Sequence, residues 1–442
     1  MGMARQREAY GAFYEGDFGL SALAARLHAS TGPVDPPTAL GLAADVAGLG
    51  DGEGAVELGT DVRLLLESAV PDEALRTVWR AATGGRFDPA EHGTDVRGWL
   101  RRLAERYPAR VREAVPRHWS LLPPPVIDEA ELRADVVAEI RASAAEGGAF
   151  TDLPFAGLPG ALEAIAEEAD ADLALRLYLR VLKTRRVTVG KPQFDRLAAL
   201  DERLAYPGPL LYDDLAVRWP PVDPARRDAE GDFGLTELAF RFAGPWHEDV
   251  PRQVLERAVA ADEAGQTPGS AAAALLQDAL RLLESPVPSG TIVTVWGAAS
   301  EQGYDIERAG LDGRAWLRAV AAACRDHLAL VAPGYEPRTV PVRAELAGAV
   351  LDVLGESAPG LAGRTVSPHA HPLPAPVVAE AVARVVTEAD PDLGFRLLVR
   401  LLAVLAVPLT EERYARFRTL AERFGHGTWH VSEALELLVR QE

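Results

Sequence analysis

The chain has 442 residues, of which 48% are hydrophobic and 25% are charged. This length suits roughly two to four domains, and the composition supplies enough apolar surface to offset the loss of chain entropy, so disorder is excluded for most of the chain. The net charge of −19 disfavours binding to nucleic acids and to anionic membranes, because the average surface would repel both.

Cysteine usage and hydropathy bear on the cellular location. The single cysteine, Cys324, excludes an intramolecular disulfide and a cysteine-based metal site, and its apolar neighbours predict that it is buried. The N-terminal residues lack the apolar stretch of a signal peptide. The most apolar segment, 393–409, is interrupted by two arginines and a proline and is too short to span a bilayer. We therefore expect a cytoplasmic protein.

Three sequence blocks of the first half recur, in the same order, in the second half. The first block, Glu-Gly-Asp-Phe-Gly-Leu at 15–20, returns at 230–235, a shift of 215 residues. The second block comprises Leu-Leu-Glu-Ser at 65–68, Thr-Val-Trp at 77–79 and Trp-Leu-Arg at 99–101, all shifted by 217. The third, around 169–173, is shifted by 220. Because chance rarely preserves both order and spacing, we infer a tandem duplication of one unit.

The repeat defines the expected domain organisation. Residues 1–219 form the first copy, a proline-rich linker covers 220–229, and residues 230–442 form the second copy. The formal charge is shared almost equally, −9 on residues 1–219 and −10 on the rest. Further proline-rich breaks at 121–125 and 331–341 suggest two helical subdomains in each copy.

A spacing of 3.6 residues between apolar positions predicts helices along most of the chain. In chain order the predicted helical segments are 131–144, 161–168, 170–182, 196–205, 271–284, 343–354, 392–407 and 411–424. Alternation of β-branched residues is confined to 186–189 and 291–295, and the second of these aligns with a helical segment of the first copy. The sequence therefore predicts an all-α protein.

Two of these helices carry charges on an otherwise apolar surface. Asp172, Arg176 and Arg180 step by four residues and share one stripe, and Asp392, Arg396 and Arg400 repeat the pattern. An acid four residues before a base stabilises a helix by about 0.2–0.5 kcal/mol. Residues 401–407 are apolar all round, which predicts that this helix is central in its half.

The triplet Asp-Phe-Gly occurs at 17–19 and at 232–234. Protein kinases use this triplet to bind metal, but the glycine-rich loop, the lysine and the His-Arg-Asp motif that accompany it are missing here. We expect Asp17 and Asp232 to cap the following helices while the phenylalanines pack inward.

Asp213 and Asp214 follow Tyr212 and resemble the start of an acidic metal motif of terpene synthases. The second metal motif of that family is missing, so we expect a solvated helix start.

Two histidine pairs, His369 with His371 and His426 with His430, could supply zinc ligands. The pairs are far apart in sequence, and the first copy has Tyr206 at the position of His426. We expect loop histidines that bind no metal.

Four tryptophans are paired by the repeat and lie in amphipathic segments, which favours core packing over ligand stacking. They are Trp79, Trp99, Trp296 and Trp316. Motifs for nucleotide binding, for a serine nucleophile or for a zinc protease are not found. The sequence predicts no catalytic, cofactor-binding or metal-binding residue.

Segment 391–425 resembles small helical immunity proteins of the MafI type. The resemblance rests on Pro-Asp-Leu-Gly-Phe-Arg-Leu-Leu at 391–398, Val-Pro-Leu-Thr-Glu-Glu at 407–412, Tyr414 and Leu-Ala-Glu-Arg-Phe-Gly at 420–425. In the first copy the turn reads Val-Thr-Val-Gly at 187–190 and lacks the proline. The resemblance implies a protein that neutralises a polymorphic toxin by binding it.

Two functional hypotheses follow. The first is a non-enzymatic helical module that binds a protein partner, such as an immunity protein for a basic toxin. The second is an all-α enzyme or small-ligand protein with a pocket between helices.

Overall fold

A computed structural model describes residues 16–109, 127–145, 150, 153–206, 208–223, 229, 231–243, 251–263, 265–337, 342–366, 372–427 and 429–440. The chain folds into two compact units, 1–219 and 220–442, each with a hydrophobic core of its own. Across the described part of the chain, no helix is both long and apolar enough to cross a membrane.

The first unit contains ten of the described α-helices and one pair of very short strands. The helices are α1 (Gly19–Ala29), α2 (Pro36–Ala47), α3 (Glu53–Glu67), α4 (Asp72–Ala82), α5 (Val96–Arg106), α6 (Glu129–Ala145), α7 (Leu158–Glu168), α8 (Ala171–Thr184), α9 (Lys191–Leu204) and α10 (Gly208–Tyr212). Strand β1 (Val189–Gly190) pairs in parallel with β2 (Val217–Arg218).

The second unit repeats this composition. Its described helices are α11 (Gly234–Ala243), α12 (Pro251–Val259), α13 (Ser270–Glu284), α14 (Ser289–Ala299), α15 (Gly313–Val331), α16 (Ala347–Leu361), α17 (Ala375–Glu388), α18 (Pro391–Val404), α19 (Glu411–Phe424) and α20 (Trp429–Leu435). Strand β3 (Thr365–Val366) pairs antiparallel with β4 (Leu373–Pro374), and a 3₁₀ turn at Glu436–Leu438 follows α20.

The all-α prediction is confirmed, because each predicted helical segment overlaps a helix. Residues 291–295 lie in α14, whereas 186–189 end in the two-residue strand β1. Apolar residues on both sides of 121–125 belong to one continuous core. The first unit therefore closes around one centre instead of the two that the proline-rich break suggested.

The central helices α8 and α18 begin at aspartate caps. Asp170 accepts a hydrogen bond from the Leu173 amide at 2.9 Å, and Asp390 accepts one from the Asp392 amide at 2.8 Å. These caps satisfy amide groups at the helix start that lack a partner within the helix. All fourteen residues of α8 are buried, so every charge on this helix must be compensated inside the protein.

Each unit has an arginine that donates hydrogen bonds to carbonyls at a helix end, and the two arginines are 217 residues apart. Arg97 donates to the carbonyls of Leu65, Leu66, Ser68 and Val70 at 2.7–3.1 Å. In the second unit Arg314 donates to the equivalent carbonyls of residues 283, 285 and 287 at 2.7–3.0 Å. A guanidinium group is suited to this role, because its planar fork donates several hydrogen bonds to the orphan carbonyls at a helix end.

Candidate functional site

A buried salt bridge lies in the core of the first unit. Arg176 on α8 donates from Nη1 and Nη2 to the two carboxylate oxygens of Asp61 on α3, at 2.8 and 2.7 Å. It also donates to the Phe18 carbonyl at 3.2 Å, and its guanidinium carbon lies 4.5 Å from the centre of the Phe18 ring. Both charged side chains are 2% exposed. The pair thus joins three segments that are far apart in sequence.

The second unit builds the same contacts. Arg396 on α18 donates to both oxygens of Asp278 at 2.9 and 2.6 Å, and to the Phe233 carbonyl at 3.0 Å. Burial alone would lower the pKa of Arg396, but Asp278 and Asp392 outweigh it and raise the pKa above the usual value. Arg396 therefore remains charged, and its charge is held by two carboxylates.

The salt bridge explains the glycine of each Asp-Phe-Gly triplet. Gly19 and Gly234 have φ angles of +60° and +66°. A Cβ atom at either position would lie 2.1 Å from an oxygen of Asp61 or Asp278. The same oxygens accept hydrogen bonds from the amides of residues 20 and 235 at 2.9 and 2.8 Å. The carboxylate of a distant helix therefore caps α1 and α11, and only glycine leaves room for it.

The expectation that Asp17 caps α1 is wrong. The N-cap residue of α1 is Phe18, and no side-chain cap bond is made there. Asp17 instead accepts a hydrogen bond from Arg180 at 3.0 Å. Asp232 accepts from the Phe233 amide at 2.9 Å and from the Thr236 hydroxyl at 2.6 Å. The phenylalanines are buried as predicted, because their rings pack against the guanidinium groups.

We call the two buried salt bridges the Arg–Asp centres. They differ in the side chain that contacts the nearby aspartate, which is Asp172 on α8 and Asp392 on α18. In the first unit the Tyr206 hydroxyl donates to Asp172. In the second, His426 Nε2 lies 2.8 Å from Asp392 Oδ1, and the rings of His426 and His430 are 4.5 Å apart. His426 lies in the turn after α19, as expected for a loop histidine, and its side chain is closed to solvent, whereas His430 is buried and lies in α20 rather than in a loop.

Burial dominates the behaviour of His430. It lowers the pKa of this imidazole to about 3, and the neighbouring His426 and Arg396 act in the same direction. A cation at this position would have to leave water and approach a guanidinium group. His430 is therefore neutral at physiological pH.

The remaining candidate residues are dispersed. Asp213 and Asp214 are exposed in the turn after α10, so they are solvated but do not start a helix. His369 and His371 lie outside the described residues. Cys324 is fully buried as predicted, and burial raises the pKa of its thiol to about 12.

The paired tryptophans pack in the cores as predicted. Trp79, Trp99, Trp296 and Trp316 are at most 5% exposed. The rings of Trp296 and Trp316 meet edge to face at 5.0 Å. Their large apolar surfaces thus stabilise the interiors of the units.

The Arg–Asp centres are suited to holding helices together rather than to chemistry. Their charges are compensated and closed to solvent, and a substrate would need access to at least one polar atom. Among the described residues, no group of three or more His, Cys, Asp or Glu side chains could hold a metal ion.

A groove of about 420 Å³ lies between α6 and α9 in the first unit. Alanine side chains at 138, 142 and 199 contribute to its lining. Its charged side chains pair across the groove: Arg196 donates to Glu139 at 2.6 Å, and Arg203 donates to Asp135. The groove is open to solvent and combines small apolar side chains with charges of both signs.

A buried polar cluster continues from Glu139 into the protein. The Gln193 amide donates to Glu139 at 3.1 Å and to the Tyr178 hydroxyl at 2.8 Å, and Ser143 Oγ lies 2.5 Å from the same hydroxyl. Burial, together with the Glu139 charge, raises the pKa of Tyr178 above its usual value. The hydroxyl therefore stays protonated and can donate a hydrogen bond within the cluster.

The described residues of the second unit keep only part of this cluster, in which Arg413 donates to the Ser357 hydroxyl at 3.2 Å. At the offset of 220 residues, Leu398 and Arg413 stand in place of Tyr178 and Gln193. A leucine cannot continue a hydrogen-bonded network. The part of the cluster that is centred on the Tyr178 hydroxyl therefore has no counterpart at Leu398 of the second unit.

No family model, no curated protein and no solved structure matches this chain. The functional argument therefore depends on the residues and contacts described above.

Sequence patterns did not indicate the partners of the central arginines. The i,i+4 spacing suggested that Arg176 pairs with Asp172. That carboxylate lies 3.5 Å from Arg176 Nε, whereas Asp61 accepts hydrogen bonds from both terminal nitrogens of the guanidinium group. One signal was available, because Asp61 and Asp278 are related by the same offset of 217 residues on apolar helix faces.

Proposed function

We propose that this protein is a helical binding module whose partner is a basic protein, and that it uses a surface at the end of the second unit. The observation that carries the proposal is the exposure of two large apolar side chains, one on α20 and one in the 3₁₀ turn that follows it. Trp429 is 50% exposed and Leu437 is 95% exposed. Glu433 and Glu436 are exposed beside them. We call these four residues the C-terminal surface.

The four residues are close together in the chain. Glu433 follows Trp429 by four residues on one face of α20, and Glu436 and Leu437 lie in the 3₁₀ turn directly after that helix. Tryptophan is enriched among residues that dominate binding energy at protein interfaces. A single exposed apolar residue is ordinary, but a tryptophan and a leucine exposed close together in the chain, with two exposed glutamates, favour an interface.

Charge supports a basic partner. The chain carries −19, shared almost equally by the two units, so its long-range field attracts cations and accelerates association with a basic surface. The glutamates of the C-terminal surface place negative charge, of the same sign as the chain as a whole, beside Trp429 and Leu437.

The MafI-type resemblance is compatible with this proposal. It covers α18, the following turn and α19, which directly precede the C-terminal surface. On this interpretation the basic partner is a toxin that the module neutralises by binding.

The test is co-expression with the product of the gene next to its own, followed by affinity purification at low and at high salt. We expect a complex that weakens as salt increases, because attraction between exposed charges is screened. The double variant Trp429→Ala with Leu437→Ala should weaken binding about tenfold or more. Val377→Ala is the matched control, since Val377 is 48% exposed in the same unit. Wild-type affinity of the double variant would contradict the proposal.

The groove between α6 and α9 favours a second candidate function, the binding of a small zwitterionic ligand. Arg196 and Arg203 could donate hydrogen bonds to the carboxylate of such a ligand, while Asp135 and Glu139 could accept hydrogen bonds from its amine. Thermal shift with free amino acids and dipeptides tests it. Stabilisation that Arg203→Gln abolishes would support this function, and no stabilisation by any of them would exclude it.

A further inference from the structure

Basic side chains gather in the first unit around the end of α8. The guanidinium carbons of Arg185 and Arg80 lie 4.7 and 5.9 Å from the centre of the same ring, Phe155. His28 of α1 and Thr184 of α8 both lie close to Gly84. A Cβ atom added at Gly84 would lie 2.5 Å from His28 Nδ1 and 3.2 Å from a methyl carbon of Thr184. The residue after Thr184 is Arg185.

Two further arginines act on the same histidine. Arg180 lies here because its Nε donates to the Thr184 hydroxyl at 3.0 Å, and the exposed Arg86 follows Gly84 by two residues. Burial lowers the pKa of His28, and Arg180, Arg86 and Arg185 lower it further. We define the basic cluster by the residues His28, Arg80, Arg86, Arg180 and Arg185.

Acidic residues compensate only part of this cluster. Arg180 pairs with Asp17 at 3.0 Å, and Arg80 lies 3.3 Å from Asp88. Within the described residues, Arg86 and Arg185 make no ion pair. The Nε of Arg185 is also buried without a hydrogen-bond acceptor.

An uncompensated guanidinium group is unfavourable at this position. Burial lowers the pKa of Arg185, and no carboxylate among the described residues opposes that effect. The chain has 65 acidic residues against 46 basic ones, so paired arginines are the expected arrangement. A half-buried arginine beside three other cationic groups indicates that an anion completes the site.

The second unit shows that the helical framework does not need the cluster. At the offsets of 215, 217 and 220 residues, the positions of His28, Arg80, Arg86 and Arg185 are taken by Ala243, Gly297, Gly303 and Leu405. Arg400 remains at the position of Arg180 and is paired with Glu301 at 2.9 Å. The excess positive charge therefore belongs to the first unit alone.

We propose that the basic cluster binds a phosphate group, either free or carried by a small molecule. Arginine forks match the oxygens of phosphate in geometry and charge, and several of them converge here. The partly buried position strengthens each contact, because water screens it less. This site is separate in chemistry from the C-terminal surface, which attracts cations.

Titration calorimetry of the full chain with inorganic phosphate and with pyrophosphate, at constant ionic strength, tests the site. We expect saturable binding of at least one of them and a rise in the thermal midpoint, with acetate giving neither. Arg185→Gln and Arg86→Gln should each weaken binding about tenfold. Arg63→Gln removes an exposed positive charge on α3 and should leave binding unchanged.

A second measurement reports on the position of the anion. Bound phosphate should raise the pKa of His28, which proton NMR of the imidazole follows during titration. Absence of saturable binding by phosphate and pyrophosphate would overturn the proposal. Equal binding of phosphate by wild type and Arg185→Gln, or acetate binding as tight as phosphate, would overturn it as well.

Discussion

Replacement of Asp278 by asparagine should destabilise the second unit strongly. The side chains of Arg396 and Asp278 are 1% and 4% exposed, and two hydrogen bonds of 2.6 and 2.9 Å join them. Removing one partner of such a pair leaves a charge that is neither solvated nor paired, at a cost of about 3–5 kcal/mol. The lower end applies here, because Asp392 remains 3.2 Å from Arg396 Nε.

The assay combines urea unfolding with hydrogen exchange, since the two units need not unfold together. The Asp278→Asn variant should lower the free energy of unfolding of the second unit by about 3 kcal/mol. It should also speed exchange at the start of α11, where the Leu235 amide donates to the lost carboxylate. Asp305→Asn is the control, because this aspartate is exposed and should change stability by less than about 0.5 kcal/mol.

A double variant separates pairing from packing. Adding Arg396→Met to Asp278→Asn removes the unpaired charge, so the double variant should be destabilised by less than the sum of the single effects. If the two effects simply add, the residues do not act as a pair and the reasoning fails.

Three further changes test other parts of the structure. Wild type should lose stability as pH falls from about 6.5 toward 3, because in that range only the unfolded chain protonates the His430 imidazole. His430→Leu should remove this loss, which urea midpoints at pH 7 and 4.5 would show. Burial raises the pKa of Asp201 to about 7, so the free energy of unfolding falls as pH rises through that value. The Asp201→Asn variant should therefore be more stable than wild type at pH 8 but not at pH 4. Equal gains at both pH values would refute this. Gly234→Ala should cost several kcal/mol by clash with Asp278, whereas Gly290→Ala, with open space, should be tolerated; equal thermal midpoints would contradict it.

The central helices show how far local patterns reach. The i,i+4 stripes predicted that α8 and α18 are helices with apolar surroundings, and both are buried. Asp61 and Asp278 were not identified as partners of Arg176 and Arg396, because they lie 115 and 118 residues away in sequence. The tandem duplication stays a prediction, although contacts at its offsets recur in both units.

The candidate sites were less accessible to sequence reasoning than the fold. His426 and Tyr206 were aligned by the repeat, but their contacts with Asp392 and Asp172 depend on how the chain after α19 and α9 folds back. Likewise, Arg185 is one of many arginines in the sequence, and only the fold shows that it lies over the Phe155 ring and pairs with no carboxylate of the described residues.

The sequence by itself determined the helical class and the positions of eight of the described helices, because a spacing of 3.6 residues is a local property of the chain. Tertiary structure decided which helix faces meet, and with them the two Arg–Asp centres, the groove and the basic cluster. The physical reason is that the stability of a buried charge depends on groups brought to it from more than 100 residues away, and no local periodicity encodes that distance.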